Sequence, residues 1–142
     1  MSEDGFVIDT DVVSETAKPR PDPDVMAWLA ECQVISLCSV TVYELARGVG
    51  RLARGRRRQF LEAWLAALLE GAEVLPFARQ EALLGARIET EARRQGRTID
   101  GHDLFILATA RAQGRTVATR NFRHFVDFGV VVYNPFTGEM GA

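Results

Sequence analysis

At 142 residues, with 47% apolar and 25% charged side chains, the chain can bury one core but not two, so a single domain over 1–142 with a core near 6–136 is expected. A net charge of −2 excludes a uniformly basic nucleic-acid binder. Residues 1–6 show no charged-then-apolar leader and no apolar run is long enough to span a bilayer, which implies a soluble cytoplasmic protein.

In chain order, Phe6-Val-Ile-Asp9 reads as a buried strand ending on an acid. Asp22-Pro23 supplies a cap and a first helical residue for a helix over 24–32, with Val25, Trp28 and Leu29 on one face. A strand over 34–37 follows, and Ser39 is placed to cap a helix in which Val42, Leu45 and Val49 recur at helical spacing. Gly55 breaks the chain before a helix over 59–70, whose Phe60, Trp64, Leu65 and Leu68 form a broad apolar face. A short strand over 74–76, a helix over 79–94 stopped by Gly96, and a strongly apolar helix over 101–113 come next. A strand over 116–119, one helical turn over 121–125 and a last strand over 130–133 close the core. Strands alternating with helices signal βαβ architecture, so the expected fold is α/β, a three-layer αβα sandwich with five strands. Cys32 and Cys38 lack a second cysteine or a histidine at ligand spacing, and are expected to be reduced, buried thiols.

Asp9, Glu44, Asp103 and Asn121 each fall where an apolar strand ends or a helix begins. In a parallel α/β sheet those edges converge on one crevice, where carboxylates can hold a hard cation such as Mg²⁺ or Mn²⁺. Glu44 is flanked by Val42, Tyr43 and Leu45, and an unpaired carboxylate near a core needs a partner or a metal. Asp11 and Asp100 have capping roles open to them beside site roles. Six arginines, Arg47, Arg51, Arg54, Arg56, Arg57 and Arg58, form a basic stripe; it suits phosphate contacts, or it is a solvated helix connection. His102 and His124 read as structural or rim residues, because His102 and its neighbour Asp103 point to different helix faces.

Val7-Ile8-Asp9-Thr10-Asp11 resembles the first motif of haloacid-dehalogenase-like phosphatases, but those enzymes need a distant lysine and the sole lysine here is Lys18. A second resemblance runs from Phe6 to Phe136. It is carried by Val7-Ile8-Asp9-Thr10-Asp11-Val12-Val13-Ser14-Glu15, Thr41-Val42-Tyr43-Glu44-Leu45-Ala46-Arg47-Gly48-Val49, His102-Asp103-Leu104-Phe105-Ile106-Leu107-Ala108-Thr109-Ala110, Thr116-Val117-Ala118-Thr119-Arg120-Asn121-Phe122 and Val131-Val132-Tyr133-Asn134-Pro135-Phe136. In this order the set resembles PIN-domain ribonucleases, specifically VapC-type toxins of the FitB-like branch.

That resemblance implies a PIN-like fold with a five-stranded parallel sheet, and a Mg²⁺- or Mn²⁺-dependent endoribonuclease neutralised by a cognate VapB-like antitoxin. It implies Asp9, Glu44 and Asp103 as catalytic and metal-site acids, with Asn121 as a weaker ligand; Asp100, three residues before Asp103 on the same helical face, is placed to add a second weaker one. Asn121 stands where many relatives carry a fourth acid, and Asp11 replaces an asparagine. The implied hydrolysis breaks a P–O3′ bond and leaves a 5′-phosphate. RNA, with tRNA or rRNA expected, would be contacted by Arg47, Arg56, Arg57, Arg58 and Thr119. The resemblance further implies a homodimer and contact with DNA only through the antitoxin; Trp28, Phe60, Trp64 and Leu68 read first as core, or else as part of a groove in which the antitoxin lays an amphipathic helix. The alternative reading is a catalytically weakened PIN module that acts by binding RNA or antitoxin, for which Asn121 is the reason.

Overall fold

The computed structural model describes residues 5–142; residues 1–4, on which part of the leader expectation falls, lie outside the described ones. In chain order the elements are β1 (Phe6–Ile8), α1 (Thr10–Val13), a 3-10 turn (Ser14–Ala17), α2 (Pro23–Glu31), β2 (Ser36–Cys38), α3 (Ser39–Gly50) and α4 (Arg56–Gly71). β3 (Glu73–Leu75), α5 (Arg79–Arg94), α6 (Gly101–Gln113), β4 (Thr116–Ala118), α7 (Phe122–Phe125), β5 (Val132–Tyr133) and β6 (Met140–Gly141) complete them.

The strands divide their side chains between two cores with the period of two that a sheet imposes. Val7, Cys38, Val117 and Val132 join Ile88, Leu104, Leu107 and Phe125 on one face. Ile8, Leu37 and Ala118 join Val12, Val25, Trp28 and Leu45 on the other. Helices therefore cover both faces, giving the αβα sandwich expected of near-continuous apolar strands.

The five expected strands are all found, but the five-stranded parallel sheet needs correction. Hydrogen bonding divides the strands into a four-stranded sheet in the order β1-β4-β5-β6 and a parallel pair, β2-β3. β2 runs beside β1 without a ladder between them. β6 is an additional strand, antiparallel to β5. The tail returns because Asn134 closes a turn, its carbonyl accepting from the Gly138 N–H at 2.7 Å and its N–H donating to the Glu139 carbonyl at 2.8 Å. Gly138 adopts φ +82° in that turn, a conformation that glycine reaches without a Cβ clash.

Two local expectations also change. Asp22 caps α2 as read, accepting from the N–H groups of Asp24 and Val25, whereas Ser39 does not cap α3. Its hydroxyl instead accepts from the Phe77 N–H at 3.1 Å, tying the start of α3 to the loop after β3. α4 begins at Arg56 rather than 59, so Arg56, Arg57 and Arg58 are its first turn.

Candidate active site

β1 and β4 run parallel with Ile8 opposite Ala118, so the next residues, Asp9 and Thr119, leave the sheet side by side. The order of strands reverses here, with β2 on one side of β1 and β4 on the other, which makes this edge the switch point where α/β folds form crevices. Asp9 is only 4% exposed and is the N-cap of α1, accepting from the Thr10 N–H at 2.7 Å. Its other oxygen accepts from the Thr119 hydroxyl at 2.8 Å. Thr119 in turn accepts from the Asn121 N–H at 3.0 Å, so one hydroxyl joins the acid to the loop that follows β4.

Two more aspartates share this electrostatic field. Burial pushes the Asp9 carboxyl above its ordinary range; the Thr119 and Thr10 hydrogen bonds oppose the rise and the charge of Asp103 adds to it. Burial first, and the Asp9 charge second, push Asp11 up to about 7. Asp11 accepts from the Arg120 N–H at 3.2 Å, clasping the β4–α7 loop from the opposite chain segment. Asp103 lies in the first turn of α6, where the helix dipole favours an acid, and its side chain is 13% exposed.

Both histidines meet these acids, His124 from the exposed rim and His102 against the expectation that it points away from the Asp103 face. His102 Nε2 lies 3.1 Å from Thr10 Oγ1 and 3.8 Å from Asp9 Oδ1. His124 Nδ1 lies 3.2 Å from Asp103 Oδ2. Although His102 and Asp103 lie on different helix faces, α6 meets the crevice with its N-terminus, where successive residues border one opening. No sequence signal joins Thr10 to a histidine 92 positions away.

The other sequence candidates are placed unequally. Glu44 is not an unpaired core carboxylate: it is half-buried and bound to Arg47 at 2.9 Å, while its neighbour Tyr43 is exposed with Arg47 lying over the ring at 5.6 Å. Glu44 lines a cleft of about 390 Å³ together with Thr10, Leu45, Arg57 and Trp64. Asn121 is exposed and caps α7 without a side-chain bond. Asp100 is the exposed N-cap of α6, accepting from the His102 N–H at 3.0 Å. Arg56 and Arg57 are exposed. Arg58 is spent locally, bonded to Glu62 at 2.7 Å and to the Leu52 carbonyl at 3.1 Å. Of the apolar groove candidates, Trp28 belongs to the core, Trp64 and Leu68 pack against it, and Phe60 is 58% exposed.

A divalent cation fits this donor set in one respect above all. The charge of Asp103 raises the proton affinity of Asp9, and the charges of Asp9 and Asp103 raise that of Asp11; a cation is what relieves such a field. Among the described residues no three acidic, histidine or cysteine side chains stand at ligand spacing. Asp9 and Asp103 would hold the ion, and Glu44 could join only by leaving Arg47.

Comparison with known proteins gives a consistent result. Residues 6–130 match the PIN domain. Toxin FitB of Neisseria gonorrhoeae is 35% identical over 137 residues, covering 92% of this chain and 98% of that protein. VapC ribonuclease Y4jK of Sinorhizobium fredii is 36% identical over 138 residues, covering 92% of this chain and 97% of its own length. The crystal structure of FitAcB from Neisseria gonorrhoeae superposes with a TM-score of 0.87 at 34% identity, covering 93% of this chain and 99% of that one.

Proposed function

This chain belongs to the PIN-domain family, and we propose that within it the protein is a ribonuclease toxin, a Mg²⁺- or Mn²⁺-dependent endoribonuclease restrained by a cognate VapB-like antitoxin. The observation that carries the reading is the burial of Asp9 in the field of Asp11 and Asp103 at the carboxyl edge of the sheet. A fold gains nothing in stability from gathering like charges there. The ribonuclease name of a relative at 36% identity supports the substrate class, and the toxin name of one at 35% identity supports the toxin reading. Acting on cellular RNA, the protein works in the cytoplasm; among the described residues no helix is long and apolar enough to cross a membrane.

A cation held by Asp9 and Asp103 would supply Lewis-acid chemistry, activating water and offsetting charge on the phosphate as the P–O3′ bond breaks. The chain's own residues prepare that step. Thr10 N–H and the Thr119 hydroxyl keep the Asp9 carboxylate in one orientation. His124 does the same for Asp103 from the outer side. Arg47, released from Glu44, and Arg56 and Arg57 at the positive end of α4 receive flanking phosphates. Three arginines in a helix's first turn oppose its dipole, a local cost that an incoming polyanion reverses. The cleft beside Glu44, apolar at Leu45 and Trp64, offers the antitoxin a seat next to the acids.

The second reading, a binding module of reduced activity, is favoured by the exposed amide of Asn121 and by the Glu44–Arg47 pair. One experiment separates them. Purified protein free of antitoxin is incubated with total tRNA and rRNA in Mg²⁺, Mn²⁺ or EDTA, beside Asp9→Ala. Discrete fragments that need both metal and Asp9 are expected. RNA binding without fragments, by a folded protein, would leave only the binding module.

A further inference from the structure

A second cleft, separate from the one beside Glu44, borders Asp103 at the loop before α6 and at α7. It measures about 340 Å³ and is lined by Arg97, Ile99, Asp100, Asp103, Arg123 and His124. Ligand pockets begin at roughly 300 Å³, so its size is of the order of one nucleotide. Its walls are the loop before α6 and the helix α7. Arg97 ties the two together, donating to the Arg123 carbonyl at 3.1 Å and to the Val126 carbonyl at 3.2 Å while lying over the Phe128 ring at 4.3 Å. The walls are thus fixed in place before any ligand arrives.

The inner end of the cleft is the reactive edge itself, because Asp103 and the His124 that holds it are both lining residues. Arg123 is exposed and has no carboxylate partner among the described residues. Asp100 spends one oxygen on capping α6 and keeps the other as an acceptor. A guanidinium without a counter-ion, a free carboxylate oxygen and an apolar Ile99 side chain together match the phosphate, the hydroxyl or amino groups, and the base face of a nucleotide.

We propose that this cleft is a nucleotide subsite, receiving the ribonucleotide adjacent to the scissile phosphate, with Arg123 on the next phosphate of the strand. The proposal rests on the ribonuclease reading and extends it, since the RNA would contact both the α4 arginines and Arg123. Arg123 acts here as a binding residue with no part in bond breaking.

The test is the anisotropy of a short labelled single-stranded RNA titrated with the full chain in EDTA at several salt concentrations, for wild type, Arg123→Ala, Arg123→Glu and the control Arg87→Ala. Arg87 lies in a separate shallow cleft on α5 and removes the same charge. Arg123→Ala is expected to weaken binding about fivefold and flatten the slope of log K against log salt by roughly 0.7, the value of one lost phosphate contact on a single strand. Arg123→Glu should weaken binding further, and Arg87→Ala should leave it near wild type. In cleavage assays Arg123→Ala should raise KM severalfold with kcat within twofold. Arg123 variants indistinguishable from wild type, or from Arg87→Ala, would overturn the subsite. Metal-dependent cleavage that ignores Arg123 removes the subsite and spares the ribonuclease. The Arg123 binding pattern without cleavage by any of the proteins removes the ribonuclease and spares the subsite.

Discussion

Thr119 serves two partners with one hydroxyl, giving its hydrogen to Asp9 and receiving one from the Asn121 N–H. Among the forces on Asp9 its hydrogen bond is the largest that opposes burial. Thr119→Val keeps the shape and removes both bonds, which should cost about 1–2 kcal/mol of stability. It should also move the acidic limb of the pH–rate profile upward, because the Asp9 carboxyl then stays protonated to higher pH. The same sign governs stability. A carboxyl raised on folding stabilises the protein fully below its unfolded pKa and progressively less as pH rises through the folded value. The loss in Thr119→Val should therefore be larger at neutral pH than at pH ~4, in urea titrations at both values. An unshifted acidic limb would show that Thr119 does not tune Asp9.

At the level of elements, the gap between the β2-β3 pair and the larger sheet is bridged by side chains. Arg115, just before β4, donates to Glu73 of β3 at 2.7 Å and to the Ser36 hydroxyl of β2 at 3.1 Å. Ser36 itself donates to Glu73 at 2.8 Å. The Arg115 bond first and the Ser36 bond second hold the Glu73 carboxyl below its ordinary range. A depressed carboxyl contributes stability that is present above its unfolded pKa, near 4.3, and is lost as pH falls through the lower folded value. Glu73→Gln should reduce stability at pH 7 by about 0.5–1 kcal/mol or less, since the pair is partly solvated. The variant and wild type should converge in acid. A difference that persists unchanged at pH ~3 would mean the bridge acts by packing and not by charge.

Across the whole molecule, a net charge of −2 conceals a spatial division. Arg57 lines the cleft that holds Glu44, and Arg123 lines the separate cleft that holds Asp103. RNA binding should accordingly weaken steeply with salt despite the acidic total. Arg56→Ala with Arg57→Ala should reduce that salt slope by roughly 1.4, two contacts on a single strand. Arg58→Ala should leave the slope unchanged and lower the melting temperature instead, because Arg58 is bonded to Glu62 and to the Leu52 carbonyl. An unchanged slope in the double variant would remove α4 from the RNA path.

Much of this protein is legible in the chain because the relevant information is local. Apolar runs of strand length ending on Asp9 and Thr119, the Asp22-Pro23 cap, and helical spacing through 79–94 and 101–113 each follow from a few neighbouring residues. Their order was enough to indicate the αβα layers and the family. Pairings made across long separations required the tertiary structure: His102 against Thr10, Asp11 against the Arg120 N–H, and Arg115 across the gap between strands. Glu44 turning to Arg47 is local, yet periodicity is silent on it, since a rotamer choice leaves no trace in residue spacing. The division of the sheet, the return of the tail as β6 and the cleft at Arg123 likewise depend on which backbones come to lie side by side. Sequence determines where each acid sits along the chain; packing of the folded chain decides which side chains face it.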